Sequence, residues 1–292
     1  MLKDRKIFLI TAIFFTLPLG SVFYFYYNQN RPHHFQVTFF DIGQGDAALI
    51  RFNDRKKMLV DCGPDRKILA KLGRALPFYD RTIDYVLATH PDLDHYGGCV
   101  DVLKNYKVKE IIINGRKKEN DPYWRIWDQA IKNEGADIKI INSPEILIIA
   151  SSTLEFLSPN SSLVLDVGSD DSNNYSIVFR LLSGRTSFLF TGDMEEPLEN
   201  ALVHKYCSTT SISCPTLQAD ILKVGHHGSD SSTGEDFLNL IHPQKAVVSV
   251  GKNKYGHPSL RVLKKLERAG AEILRTDEKG DIILPVDNYQ GL

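Results

Sequence analysis

The segment THPDLDHYGG, Thr89 to Gly98, carries four groups able to bind metal cations within six consecutive positions: His90, Asp92, Asp94 and His95. Imidazole nitrogen together with carboxylate oxygen is a donor set for divalent transition metals. The cluster directly follows an apolar run, Asp84-Tyr-Val-Leu-Ala, and precedes two glycines. It therefore reads as a compact turn at a strand end, in which alternating residues face one point. Taken singly, each Asp is an ordinary turn residue and each His an ordinary buried one; their spacing is what makes a metal centre the expected reading. A divalent cation in such a centre makes hydroxide available near neutral pH and polarises a phosphoryl or carbonyl oxygen, which is the chemistry of hydrolysis.

Positioning that turn requires strands. From Phe35 the chain runs through apolar, strand-like segments that stop at Asp, Gly or His: QVTFFDIGQGD, AALIRF, KMLVDCG, YVLATHPDLDH and KEIIING. The pattern returns with STLEFLSP, YSIVFRLL, TSFLFTGD, DILKVGHHGS, AVVSVG and GDIILPV, interleaved with helical stretches at Pro122 to Lys132 and Pro258 to Ala269. Two strand-rich halves with helices between them predict a pair of packed sheets covered by helices on the outside. Nothing between the halves reads as a linker, so residues 35–292 are expected to form one domain. Because polar residues sit where the strands stop, ligands from distant parts of the chain can meet at one edge of the sheets. Ser161 to Asn174 reads as a polar loop near that edge. Asp41, Asp46 and Asp61 stand at strand ends close to glycines, which is turn chemistry. Asp46 and Asp61 are equally suited to orient a ligand imidazole through its other ring nitrogen.

The arrangement HxDxDHxGG resembles the HxHxDH signature of the metallo-β-lactamase superfamily, with Asp92 in place of the second histidine. FDIGQGDAALI, LVDCG, FTGD, LKVGHHGS and YGHPS, in that order, resemble the hydrolase domain of the ComEC-type family of DNA-uptake proteins and its stand-alone relatives. The resemblance runs from Val37 to Ile283 and implies a four-layer αββα sandwich, the metallo-β-lactamase fold.

By position, it implies that His90 and Asp92 hold one metal, Asp94 and His95 the second, and that Asp193 of FTGD bridges the two or binds one. The late metal-binding histidine falls at His226. An extended backbone there would turn His227 to the other face, so His226 is the expected ligand and His227 an outer or substrate-facing group; the reverse assignment stays open. Asp94, His227 and His257 of YGHPS are the expected participants in the reaction, His257 by donating a proton to the leaving oxygen or by binding the scissile phosphate. The superfamily's third histidine for the first metal has no counterpart, since Asn173-Asn174-Tyr175-Ser176 occupies that stretch and no histidine lies between His95 and His204. Carboxylate in place of imidazole makes the donor set harder. One or two divalent ions are therefore expected, with manganese or magnesium at least as effective as zinc and the first site weak or empty. The implied function is hydrolysis of DNA or another phosphodiester. A hydrolase of small lactones, amides or other esters is the alternative, disfavoured by the nitrogen-poor first site, and a non-catalytic module is disfavoured by the intact ligand set.

A net charge of −1 and a pI of about 6.8 give no global signal of a polyanion partner. Any nucleic-acid contact must be local. Arg116, Lys117, Lys118, Lys252 and Lys254 supply basic groups, and Ser229, Ser231, Ser232, Asn174 and Ser176 supply polar ones, while Asp230 stands where a basic residue is frequent in the resembling family. Met1 to Lys6 carries Lys3, Arg5 and Lys6, and Ile7 to Tyr27 has no charge and is long enough to span a membrane. That run closes on aromatic rather than small residues. An uncleaved single-pass anchor (7–27) after a cytoplasmic basic start (1–6) is the expectation, followed by a short linker (28–34). The hydrolase domain is then extracytoplasmic, with a separate DNA-uptake channel as a partner. Cys207 and Cys214 bracket a Ser/Thr-rich loop that a disulfide would close in an oxidising compartment. Cys62 and Cys99 read as two small buried side chains.

Overall fold

The computed structural model describes residues 34–163, 171–207 and 214–286. The apolar segment 7–27 lies outside them, and among the described residues no helix is long and apolar enough to cross a membrane.

The first half supplies β1 (Gln36–Phe39), β2 (Ala48–Arg51), β3 (Lys57–Val60), β4 (Thr82–Ala88), β5 (Lys107–Ile113) and β6 (Asp137–Ile140). The second supplies β7 (Glu145–Ile149), β8 (Ser152–Ser158), β9 (Val178–Ser183), β10 (Thr186–Phe190), β11 (Ile221–Lys223), β12 (Lys245–Val248) and β13 (Glu272–Arg275). The last strand, β14 (Ile282–Pro285), returns to the first sheet. Two seven-stranded sheets result, ordered β14-β1-β2-β3-β4-β5-β6 and β13-β12-β11-β10-β9-β8-β7. In each, one side is antiparallel and the other parallel: β3 through β6 run together, as do β10 through β13.

Side chains alternate across a strand, and here both faces are apolar. Val37, Phe39, Ala48, Ile50, Met58 and Leu87 enter the core between the sheets, where Phe156, Phe179, Phe188 and Phe190 meet them. Phe179 and Phe190 stack with ring centroids 4.7 Å apart at 7°, a tightly packed aromatic pair at the centre of the sandwich. The opposite residues of the first sheet, such as Leu49, Leu59, Val86 and Ile111, face outward. They pack under α1 (Lys67–Ala75), α3 (Cys99–Asn105) and α4 (Pro122–Glu134), with the short α2 (Leu93–Tyr96) at the sheet edge. On the second sheet Val178, Leu189, Leu222 and Val248 pack under α5 (Glu196–Tyr206), α6 (Glu235–Ile241) and α7 (Leu260–Arg268). Helix, sheet, sheet, helix is the layer order the sequence predicts. The helix starts are set locally: Asp121 accepts from the Tyr123 N–H with Pro122 at the first helical position, and Ser259 accepts from the Val262 N–H.

The cysteines differ from expectation at one pair. Cys62 and Cys99 are not two separate small core residues but a disulfide, with Cα atoms 5.2 Å apart, and Cys207 and Cys214 form the second. Sequence inspection had no cue for the first because its partners are 37 residues apart and meet only when β3 and α3 are packed. This bridge ties the end of β3 to the helix that follows the His90–His95 turn. Replacing both Cys62 and Cys99 with alanine is expected to cost about 2–4 kcal/mol in chemical denaturation, and reduction of the wild type, which opens the Cys207–Cys214 bridge as well, should cost at least as much.

Candidate metal centre

The parallel strands of both sheets stop at one edge, and the loops after them carry the chemistry: Asp61 after β3, His90 after β4, Asp193 after β10, His226 and His227 after β11, and Ser249 after β12. Close backbone contact holds the loops together. The Cys62 N–H donates to the His95 carbonyl at 2.7 Å and the Gly98 N–H to the Gly63 carbonyl at 2.8 Å. A side chain at Gly98 would place its Cβ 2.3 Å from the Cys62 carbonyl oxygen, so only glycine permits this approach.

Each central histidine is gripped by one ring nitrogen. His95 Nδ1 lies 2.9 Å from Asp61 Oδ2, and the same Asp61 carboxylate accepts the Thr89 N–H at 2.8 Å. His227 Nδ1 donates to the Ser249 carbonyl at 2.8 Å, an acceptor that fixes the proton on that nitrogen. His90 Nδ1 sits 3.0 Å from Thr89 Oγ1 and 3.3 Å from Ser176 Oγ. All three Nε2 atoms then point inward and are buried without a hydrogen-bond partner, as is Asp193 Oδ1. His95 Nε2 is 3.2 Å from Asp193 Oδ1, and His227 Nε2 is 3.3 Å from Asp94 Oδ2 and 3.4 Å from Asp193 Oδ2. A buried polar atom without a partner costs about 1–3 kcal/mol. Several of them aimed at one point are what a cation would satisfy, and nitrogen and carboxylate donors in these combinations fit a divalent metal.

Charge distribution without a cation is consistent with that. Burial alone would depress the His95 imidazole, but Asp193 and Asp61 hold it well above its ordinary range. His227 is likewise pushed down by burial and up by Asp193 and Asp46, ending at about 10. Asp193 is opposed by its own burial yet held well below the ordinary carboxylate range by His227 and His95.

His90, Asp92, Asp94, His95 and Asp193 all stand at this edge. Asp92 is bound through Oδ1 to the Lys118 ammonium and to Ser172 Oγ at 2.6 Å, with Oδ2 4.0 Å from His90 Nε2. The two late histidines differ from the extended geometry expected of them. They lie in a 3₁₀ turn, Gly225–Gly228, with φ of 43° at His226 and 53° at His227. His227 is the one buried among Asp46, Asp94 and Asp193, whereas His226 turns its Nδ1 to Glu195 Oε1 at 2.9 Å and keeps Nε2 3.9 Å from Asp193. His257 stands beside His226 with ring centroids 5.4 Å apart. The side chains of Asp94, Asp92 and His226 remain 35, 28 and 24% exposed, so the centre is open on that side.

Three contributors were not singled out from the sequence. Lys223, buried on β11, places Nζ 2.6 Å from Asp46 Oδ2. Glu195 holds His226, and the Ser249 carbonyl holds His227. A charged residue inside the apolar run DILKV and a second acid after FTGD were the only signals for the first two.

The loop after His227 is pinned from α5. Glu199 accepts the Thr233 and Gly234 N–H groups at 2.5 and 2.8 Å, and burial raises its carboxyl to about 7. Its folded pKa exceeds the unfolded value, so the protonated acid contributes stability that is fully present below about pH 4.5 and lost as pH rises through about 7. Unfolding free energy of the wild type is expected to fall by up to about 3 kcal/mol across that window. Glu199→Gln, which cannot ionise, should flatten the slope measured by thermal unfolding between those pH values.

Comparison with known proteins agrees with this fold. The Metallo-beta-lactamase superfamily description matches residues 40–252. ComE operon protein 3 of Bacillus subtilis (strain 168) is 33% identical over 88% of this chain, and Recombination protein 2 of Haemophilus influenzae 28% identical over 97%. The chain spans about a third of the length of these relatives, 34 and 32% respectively. Among solved structures, human tRNase Z, short form, superposes with a TM-score of 0.53 at 15% identity, covering 86% of this chain and 100% of that one. CmlA, a diiron β-hydroxylase from Streptomyces venezuelae, superposes with a TM-score of 0.56 at 14% identity, covering 88% of this chain and 55% of that one. At such identities the structural likeness concerns the fold alone.

Proposed function

This chain belongs to the metallo-β-lactamase superfamily, in its ComEC-type branch, and on that premise we propose that it is a metal-dependent phosphodiesterase acting on DNA outside the cell membrane. The observation that carries the reading is the convergence of unpartnered His90, His95 and His227 Nε2 atoms on Asp193, at a centre open to solvent beside Asp94. Asp94, His95, Asp193 and His227 would hold one cation, and His90 and Asp92, with Asp193 between the two sets, the other. A bound divalent cation supplies a water that ionises near neutral pH and a Lewis acid for a phosphoryl oxygen.

The protein's own groups do the rest. Asp61 and the Ser249 carbonyl fix the tautomers and directions of His95 and His227, which keeps each Nε2 free of protons when it must be a donor. His226, held by Glu195, faces the mouth. Burial and then the neighbouring His226 and His227 lower the His257 pKa. From that place beside His226, His257 would bind the scissile phosphate or donate a proton to the leaving oxygen. Beside Asp92 opens a cleft of about 460 Å³ in which Arg116, Lys117 and Lys118 stand together with Glu119, Asp121 and Asp171, so that its basic and acidic groups are balanced.

The names of the relatives, two of them a Competence protein ComA from Neisseria gonorrhoeae and a recombination protein, favour DNA over a small ester. The oxygen-rich first site favours manganese or magnesium over zinc. Residues 7–27 would anchor the chain, with the two disulfides in keeping with an oxidising, extracytoplasmic side and with a separate uptake channel as partner.

The test is turnover by the full chain in detergent on labelled DNA and on a panel of lactones, amides and esters, with manganese, magnesium or zinc. DNA cleavage with manganese or magnesium at least equal to that with zinc is expected. Turnover of lactones or esters with intact DNA would replace this reading with that of a small-molecule hydrolase.

A further inference from the structure

Beyond His227 a series of rings leads out of the centre to the surface. His226 lies 6.1 Å from His227, His257 lies 5.4 Å from His226, and Tyr255 lies 5.6 Å from His257 in a stacked arrangement at 30°. Tyr255 ends the series with 64% of its surface exposed. An exposed aromatic ring is unremarkable on a mobile loop, but this loop is fixed. Asn253 donates to the Gly251 and His257 carbonyls at 2.8 and 2.7 Å and accepts from the Tyr255 and His257 N–H groups at 3.0 and 3.1 Å. One side chain thus closes the loop from both ends and holds a largely exposed ring, stacked on His257 on one side, at the outer end of the series. Lys252 and Lys254 flank it, both exposed and neither in an ion pair among the described residues, with Lys254 Nζ 5.6 Å from the Tyr255 centroid.

A rigid, exposed aromatic face with cations beside it is the arrangement that takes an unpaired base and its neighbouring phosphates. We infer that Tyr255 is a stacking platform for a nucleobase of a single-stranded polynucleotide whose backbone lies across the metal centre. This rests on the phosphodiesterase reading and adds to it: the bases, and not the phosphates alone, take part in recognition. The ring is already ordered by Asn253, so little conformational freedom is lost on binding, which is the condition under which one contact weighs most.

The test compares KM on a short single-stranded deoxyoligonucleotide with KM on an abasic strand of the same length and backbone, using the full chain with manganese. The wild type is expected to show a KM on the abasic strand about 5- to 150-fold higher than on the base-bearing one, the range for one stacked base. In Tyr255→Ala that ratio should fall close to one, while Tyr255→Phe, which keeps the ring face, should retain it. Thermal unfolding of both variants checks that the loop is intact. A ratio that is the same in Tyr255→Ala and wild type overturns the platform while leaving the phosphodiesterase reading in place. Wild-type protein that binds metal but cleaves neither strand overturns both.

Discussion

Replacing His227 with alanine is expected to abolish metal binding at the Asp94–His95–Asp193 set and hydrolysis with it, whereas replacing His226 should leave both measurable. The two residues are adjacent, yet their surroundings are unlike. His227 is 1% exposed, its Nδ1 is committed to the Ser249 carbonyl at 2.8 Å, and its Nε2 faces two carboxylates at 3.3 and 3.4 Å. His226 is committed to Glu195 and stands 3.9 Å from the nearest carboxylate of the centre. Losing an outer partner of a metal site typically costs about 10–100-fold in affinity or activity. His226→Ala should fall in that range and His227→Ala well beyond it. Calorimetric titration of each metal-stripped variant with manganese, alongside strand cleavage, separates the two. Equal losses, or the reverse order, would return the ligand role to His226.

The largest stability effect is expected at Lys223. Its ammonium is 4% exposed, lies 2.6 Å from Asp46 Oδ2, and also donates to the Val224 carbonyl at 2.7 Å. Burial would raise the Asp46 carboxyl, but Lys223 and then His227 keep it below its ordinary range. Lys223→Met removes that compensation and leaves a buried carboxylate beside β11, which costs about 3–5 kcal/mol when a buried pair is broken from one side. Replacing Asp46 as well should recover part of the loss, because the buried charge then left with His227 alone goes with it. Urea unfolding of metal-free protein measures this apart from any effect of metal affinity. A loss under about 1 kcal/mol in Lys223→Met would mean that the pair is solvated and not a buried element of the site.

Much of the sandwich was legible because its strands are short apolar runs that stop at Asp, Gly or His; only in the packed sheets do neighbours such as Leu49 and Ile50, or Leu189 and Phe190, divide between the outer and inner cores. His90, Asp92, Asp94 and His95 were legible because one short turn carries them. The placement of His226 and His227 was not, since a turn and not an extended backbone carries them. Glycines on both sides, Gly225 and Gly228, were the available sign of a turn, and both histidines adopt positive φ there, a conformation that surrounding contacts must impose. Asp61 and Asp46 could be read only as turn residues or orienting groups; packing brings Asp61 to His95 and Asp46 to Lys223 and His227. Cys62 with Cys99, and Lys223 with Asp46, are long-range pairs for which local pattern has no signal. Within the polar stretch Ser161 to Asn174, Ser172, Asn173 and Asn174 do reach the site, through Asp92, His226 and Glu195. Residues 164–170 of that stretch, like the apolar segment 7–27, lie outside the described residues.

One titration bears on the metal centre and its chemistry together: manganese added to metal-stripped full chain, with bound ion and cleavage of a labelled DNA strand followed in the same samples, for the wild type and Asp94→Ala. Cleavage that rises in step with occupancy in the wild type, and is lost together with binding in Asp94→Ala, is the expected result. A wild type that binds no divalent ion, or that cleaves as well without metal as with it, would contradict it.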